Sequence, residues 1–268
     1  MGNLDILEHN RAAWNRECRA GGRWSIPVDG VAIARARAGD CQVVLTPDRF
    51  VPPDWLGDLR GLQVLCLASA GGQQAPLLAA AGAVVTSFDV SDEQLANDAA
   101  VAQREGLALR TLRGDMADLS MLPDAAFDLV FHPVSNVFVP DPAPVWRGCA
   151  RVLRPGGTLL AGIMNPAFFL FDHDEAARTG KLEVRFRLPY REDDGDARGS
   201  QLTPERTAQI QAGDQVQFSH SLQSQVGGLL EAGFVLTGLY EDHWQGAGTP
   251  LDAYMPSSIA LRARREGP

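Results

Sequence analysis

No apolar run in this sequence is long enough to cross a bilayer as a helix. The opening "MGNLDILEHNR" lacks the apolar core of a signal peptide. It also lacks the Ser or Thr that a myristoylation signal needs, since Ile6 stands at that place. Only four cysteines occur, Cys18, Cys41, Cys66 and Cys149, and none forms a CxxC pair. That speaks against a disulfide framework or a zinc site and for buried free thiols in a reducing compartment. Excess positive charge is missing too: the net charge is −9 and the isoelectric point about 5.0. An acidic chain repels phosphate backbones, so no nucleic-acid partner is expected. The one basic cluster, Arg262–Arg265 ("RARR"), reads as a solvated tail. No internal repeat is visible. A cytoplasmic protein is expected, with no membrane partner, as a monomer or homodimer.

What is present is the composition of an ordinary globular chain, 45% hydrophobic and 21% charged over 268 residues. From Val64 onward, strand-like and helix-like stretches alternate. "LQVLCLA" is a short apolar run suited to a strand buried on both faces. "QQAPLLAAAGA" has helical spacing with a Gly82 stop, and "VVTSFDV" is the next strand. "SDEQLANDAAVAQREG" has a Ser91 N-cap, acids in its first turn and Gly106 past its end. "LALRTLRGD", "FDLVFHPV" and "TLLAGIMN" supply three more strands, and "DPAPVWRGCARVLRPGG" a helix before the last of them. Strands joined by crossover helices form a parallel sheet. Further on come a helix, "SLQSQVGGLLEAGF", and two strands, "FVLTGLYED" and "SSIALRAR", around a Gly/Pro-rich loop at 243–256. Residues 1–60, with Trp14, Trp24 and Trp55, read as an N-terminal extension or lid. Residues 61–268 form the main domain, with an irregular charged insertion at about 166–218, a length typical of functional lids.

Such a sheet delivers its loops to the carboxyl edge, where ligands bind. After the first strand comes Ala68, Ser69, Ala70, Gly71, Gly72, Gln73: small residues that let backbone approach a ligand, ahead of a helix N-terminus. Asp89, followed by Val90 and Ser91, ends the second strand, where a carboxylate can accept both hydroxyls of a ribose. Asp115 and Met116 follow the third strand, and Asp115 can accept from an amino group. His132, Ser135 and Asn136 follow the fourth.

The run from Val64 to Gly157 resembles the class I S-adenosylmethionine-dependent methyltransferase family. "VLCLASAGG" matches its first strand and Gly-rich loop, and "VVTSFDVSDEQL" its second strand and ribose acid. "RGDMADLSMLPDAAFDLVFHPV" matches its adenine-side acid and fourth strand, and "PVWRGCARVLRPGGTLLAG" its Pro-Gly-Gly turn. The resemblance implies an α/β fold: a Rossmann-like, seven-stranded, mostly parallel sheet with helices on both faces and an antiparallel last strand. It implies S-adenosyl-L-methionine as cofactor. The chain departs where the family has an acid, at Cys66, and glycines, at Ala68 and Ala70; only Gly72 of the three is kept. Ser69, Gln73 or Gln74 is expected to substitute for the missing acid. A nicotinamide dehydrogenase is disfavoured, because G-x-G-x-x-G is absent.

The expected reaction is in-line methyl transfer to a small organic molecule. His132 is the base candidate, weighed against a packing role; Ser135 and Asn136 are candidates to orient the acceptor, and Trp14 and Trp24 to cover it. The alternatives are a non-catalytic cofactor-binding module and a protein or tRNA methyltransferase. Asp172, His173, Asp174 and Glu175 could be read as metal ligands, but without further spaced ligands they read as a helix start, and no metal is expected. His220 and His243 are expected in capping or surface roles.

Overall fold

The computed structural model describes residues 4–193, 199–244 and 249–267. Its centre is a seven-stranded sheet: β1 (Gln63–Leu67), β2 (Val84–Asp89), β3 (Leu109–Arg113), β4 (Phe127–His132), β5 (Leu153–Met164), β6 (Phe234–Asp242) and β7 (Ser258–Arg265). The order is β3-β2-β1-β4-β5-β7-β6, with β7 antiparallel to both its neighbours and the other pairings parallel. The helices are α1 (Ile6–Arg19), α2 (Gly30–Arg37), α3 (Pro53–Leu56), α4 (Gln74–Ala80), α5 (Asp92–Glu105), α6 (Ala143–Val152), α7 (His173–Thr179), α8 (Pro204–Ala212) and α9 (Gly228–Glu231).

The period of two along β1 explains why its sequence is apolar throughout. Val64 and Cys66 face one core with residues of α2, α4 and the 43–59 segment. Leu65 and Leu67 face the other, with Trp146, Cys149 and Leu229. Both faces are covered, so Val64 to Leu67 do not meet water. α5 begins where the sequence says it should: the Ser91 hydroxyl accepts the Gln94 N–H at 3.2 Å, and Gly106 ends the helix at φ 63°.

Several boundaries differ from expectation. α6 stops at Val152, and the Pro-Gly-Gly stretch already runs in β5, with Gly156 at φ 78°. The helix expected at 221–234 is a π-turn, Gln223–Gly227, followed by the short α9. Arg262–Arg265 is not a tail: it lies in β7 between β5 and β6, and Arg265 donates to the Leu153 carbonyl. The insertion contains α7 and α8, and Asp172 caps α7 by accepting the Glu175 N–H, which accounts for the acids beside it. The charged stretch at 191–200 and the loop at 243–256 fall partly outside the described residues.

Residues 1–60 are not a detached flap. Ile33, Ala36, Val43, Leu45, Val51, Leu56 and Leu59 are buried in the core against β1 and α4. One sheet glycine permits this. A Cβ on Gly162 of β5 would run into the Leu45 carbonyl, which accepts the Val134 N–H at 3.0 Å. Gly162→Ala is therefore expected to push the 44–46 segment off the sheet and to lower stability by ~1–3 kcal/mol, read as a drop in melting temperature.

Candidate active site

The strand order reverses between β1 and β4, and at the carboxyl edge beside that point lies a cavity of about 570 Å³. The residues expected at a cofactor divide in two. Ala68, Ser69, Ala70, Gln73, Asp89, Val90, Asp115 and Met116 line the cavity, as do Trp14, Trp24 and Ser135. Gly71, Gly72, Ser91, His132 and Asn136 do not.

The loop after β1 takes a glycine path without the glycine. Ala68 sits at φ 48°, and its N–H donates to the Phe88 carbonyl at 2.8 Å. A Cβ in this region costs roughly 1–2 kcal/mol. Gly71 (φ 130°) and Gly72 (φ 82°) are required for another reason. A Cβ on Gly71 would strike the Trp24 carbonyl, and one on Gly72 would stand 2.8 Å from the Pro27 Cβ. The N-terminal segment crosses directly over this loop, and the Val28 N–H donates to the Gly72 carbonyl at 2.8 Å. The expected stand-ins for the missing acid serve the same crossing. Gln73 Nε2 donates to the Arg23 and Ile26 carbonyls, and Gln74 Oε1 accepts the Val44 N–H. The Ser69 hydroxyl is buried without a hydrogen-bond partner.

Asp89 closes β2 with both oxygens anchored. Oδ1 accepts the Ser91 N–H at 2.9 Å and Oδ2 the Ala70 N–H at 3.2 Å. Burial raises its pKa against these bonds. A half-desolvated carboxylate with lone pairs left over for the cavity suits the two hydroxyls of a ribose. Beside it, Phe88, Val90 and Met116 provide apolar wall. Gly114 carries no side chain because the Phe88 ring occupies the place of its Cβ. Asp115 Oδ1 accepts the Ala117 N–H at 2.9 Å, and the residue lines the cavity beyond Gly114. Acceptors at Asp89 and Asp115 with an apolar slot between them fit an adenosine.

Cys66, where the resemblance leads one to expect an acid, is fully buried, and burial drives its thiol pKa well up. It packs in the core and carries no charge to the loop. The acid that holds the loop comes instead from α5. Asp98 Oδ1 accepts the Gly72 N–H at 2.7 Å, and Oδ2 accepts the Ser87 hydroxyl at 2.6 Å. The sequence signal for it was a charged residue on the buried stripe Gln94, Leu95, Asp98, Val101, Ala102.

His132 does not reach the cavity. It is fully buried. Nδ1 lies 3.0 Å from the Leu67 carbonyl and Nε2 2.8 Å from Asn136 Oδ1, and the ring stands edge-on to Trp146. Burial lowers its pKa. Asn136 in turn donates to Gln225 Oε1 at 3.0 Å, so the pair ties β4 to the π-turn rather than facing a ligand. Ser135 does line the cavity, and its hydroxyl donates to the Pro133 carbonyl at 2.8 Å. His220 bonds the Asn136 carbonyl and His243 the Asp252 carbonyl. Among the described residues no group of three or more metal-ligating side chains converges.

The roof was largely unread in the sequence. Asn10 of α1 donates to the Phe138 and Val216 carbonyls and accepts the Val216 N–H. It thereby joins the N-terminal helix to the end of the insertion. Trp14 stands edge-on to Phe138 at 5.2 Å. Trp24 packs against Trp244 at 6.0 Å, with the Arg23 guanidinium over both rings.

Two expectations follow. Asp98 is held from an ordinary 3.8 up to about 7, chiefly by burial. Between those values the native state keeps a proton that the unfolded state has lost, so stability falls as pH rises, by on the order of 4 kcal/mol. Urea unfolding from pH 4 to 8 should show that loss in the wild type relative to Asp98→Asn, whose difference from wild type would otherwise be flat. Ala68→Gly relieves the left-handed strain at the cost of chain entropy, and is expected to stabilise by up to ~1 kcal/mol, measured the same way.

With this geometry in place, comparison with known proteins is informative. Residues 65–161 match the model of a methyltransferase domain family. The uncharacterized methyltransferase YbaJ of Bacillus subtilis (strain 168) is 41% identical over 259 residues, covering 96% of this chain and 98% of that protein. An S-adenosylmethionine-dependent methyltransferase from Mesorhizobium loti has a TM-score of 0.60 at 19% identity, covering 79% of this chain and 94% of its own. The Burkholderia thailandensis 1,6-didemethyltoxoflavin-N1-methyltransferase, solved with S-adenosylhomocysteine, has a TM-score of 0.58 at 15% identity, covering 100% and 93%. The two structural likenesses speak to the fold, and the match along nearly the whole of both chains to the activity class: this chain belongs to the S-adenosylmethionine-dependent methyltransferases.

Proposed function

We propose that the chain transfers the methyl group of S-adenosylmethionine to a small organic molecule enclosed in the cavity. The observation that carries this reading is the roof. Trp14 and Phe138, the 44–47 segment, Met164, Phe168 and Phe169, and Gln215 and Gln217 converge over the carboxyl edge of the sheet. The resulting volume is in the range of sites that enclose a drug-sized ligand. Once an adenosyl group lies along Asp89, Val90 and Asp115, the remaining space admits a compact acceptor. The net charge of −9 supports the same reading against tRNA.

When bound, S-adenosylmethionine supplies an electrophilic methyl group on a sulfonium. The residues of this chain bind, orient and exclude water. Asp89 accepts from the ribose, Asp115 from the adenine amino group, and Phe88, Val90 and Met116 flank the base. The rings of Trp14, Phe138, Phe168 and Phe169 and the Met164 side chain wall the acceptor end; holding two reactants in line is worth up to ~7–11 kcal/mol of barrier. His132 has both ring nitrogens engaged by the fold, so acceptor deprotonation is not assigned to it. The polar groups on the acceptor side are Ser135, Gln215 and Gln217.

The test is to incubate the protein with methyl-labelled S-adenosylmethionine and a cell extract divided into small molecules, protein and tRNA. Label is expected in the small-molecule fraction. Label confined to protein or tRNA would replace this reading; none in any fraction, with S-adenosylhomocysteine still bound, would point to a cofactor-binding module without the chemistry, and none without that binding would remove the cofactor reading.

A further inference from the structure

Among the described residues, three side chains that line the cavity, Thr46, Ser69 and Gln94, hold a buried polar atom with no hydrogen-bond partner, and Gln94 Oε1 is the one that can only accept. Gln94, in the first turn of α5, is 3% exposed, lines the cavity, and its Oε1 has no hydrogen-bond partner. A buried amide oxygen left unpaired destabilises the empty site, and a ligand donor would relieve that. The oxygen stands 2.9 Å from where a Gly71 Cβ would be, on the side where the Trp24 carbonyl also points. Gly71 follows Ala70, whose N–H is held by Asp89. Gln94 Oε1 therefore lies beyond the ribose carboxylate, on the side of the N-terminal crossing.

We infer that Gln94 is a cofactor-positioning residue, accepting a hydrogen bond from the α-ammonium of the cofactor's methionine arm. The inference rests on the cofactor lying in this cavity. The donors of the adenosine are matched by Asp89 and Asp115, and the ammonium is the strong donor left over. The residue at the end of β1 that would carry a charge for it is Cys66, an uncharged, buried thiol. Gln73 and Gln74 are spent on the N-terminal segment. Gln94 Oε1, by contrast, is buried without a partner. Glu17 of α1, which also lines the cavity, is the competing acceptor.

Calorimetry with two ligands tests this. S-adenosylhomocysteine carries the ammonium; 5′-methylthioadenosine keeps the adenosine and the thioether and lacks the amino-acid end. Gln94→Met, which preserves the packing, and Gln94→Ala should each weaken S-adenosylhomocysteine about tenfold or more. Both should leave 5′-methylthioadenosine within about twofold, at a melting temperature close to wild type. Equal loss for both ligands would make the ribose the partner and overturn the assignment. No loss for either would overturn the role altogether, as would a loss confined to Glu17→Gln. Failure of the wild type to bind either ligand would instead remove the cofactor reading beneath it.

Discussion

A carboxylate with no access to water organises this site. Asp98 accepts the Gly72 N–H and the Ser87 hydroxyl, joining a helix, the central part of β2 and the turn that follows β1. Turn residues in left-handed conformations have no strand or helix partners for their N–H groups, and those groups cannot be buried unpaired. The turn here is covered from above by the Trp24–Val28 backbone, so water does not reach it. An acceptor had to come from inside. With Cys66 uncharged, the fold takes it from α5, and accepts the desolvation of a carboxylate in return. Ala68 at φ 48° belongs to the same bargain: the turn must be tight enough to bring Ala70 within reach of Asp89, and it is held tight in spite of a Cβ.

The covering of that turn also ties the wall of the cavity to the N-terminal region. Gln73 and Gln74 open α4, yet their side chains reach outward to the Arg23, Ile26 and Val44 backbone. Trp24, carried by that backbone, lines the cavity, and so do Leu45 and Thr46. The loop after β1 and the segment above it are thus one hydrogen-bonded unit. Asn10 extends the unit to the insertion through Val216 and Phe138. A cavity so built is enclosed by pieces from both ends of the chain, each too small to bury its apolar residues alone.

Sequence periodicity carries the sheet because burial on both faces leaves a run such as Val64–Leu67 few other options. Ser91 and Gly106 mark α5 through local backbone chemistry that needs no tertiary knowledge. Asp89 and Asp115 are legible because strand ends put them at one edge. His132 is misleading for the same reason. A strand end also brings it to that edge, but the alternation along β4 turns its ring toward Trp146 and into the core. Asn136 follows it there, held by Gln225 from a segment 89 residues away. The Arg262–Arg265 cluster reads as a tail only if long side chains are counted by charge. Their stems lie along β7 while guanidinium groups reach the Leu153 and Gly156 carbonyls. The roof is illegible because its members come from α1, the 44–47 segment, β5 and the insertion, and no local pattern links them.

The composition of the cavity wall bears on what the enzyme can do with charge. The lining holds the acids Asp89, Asp115 and Glu17 together with the apolar side chains of Phe138, Met164, Phe168 and Phe169. An acidic lining favours a cationic ligand in the ground state. An apolar wall at the acceptor end offers no comparable reward to charge fixed on one atom. Methyl transfer disperses or cancels the sulfonium charge as it proceeds, so a wall of low polarity opposes the dispersed state less than the localised one. Binding energy gained along the adenosine is thereby available for orientation at the reacting end. The division of labour follows from the fold. Strand ends supply the acids, since Asp89 closes β2 and Asp115 follows β3 at the same edge. The apolar half comes from a roof that is folded down over them.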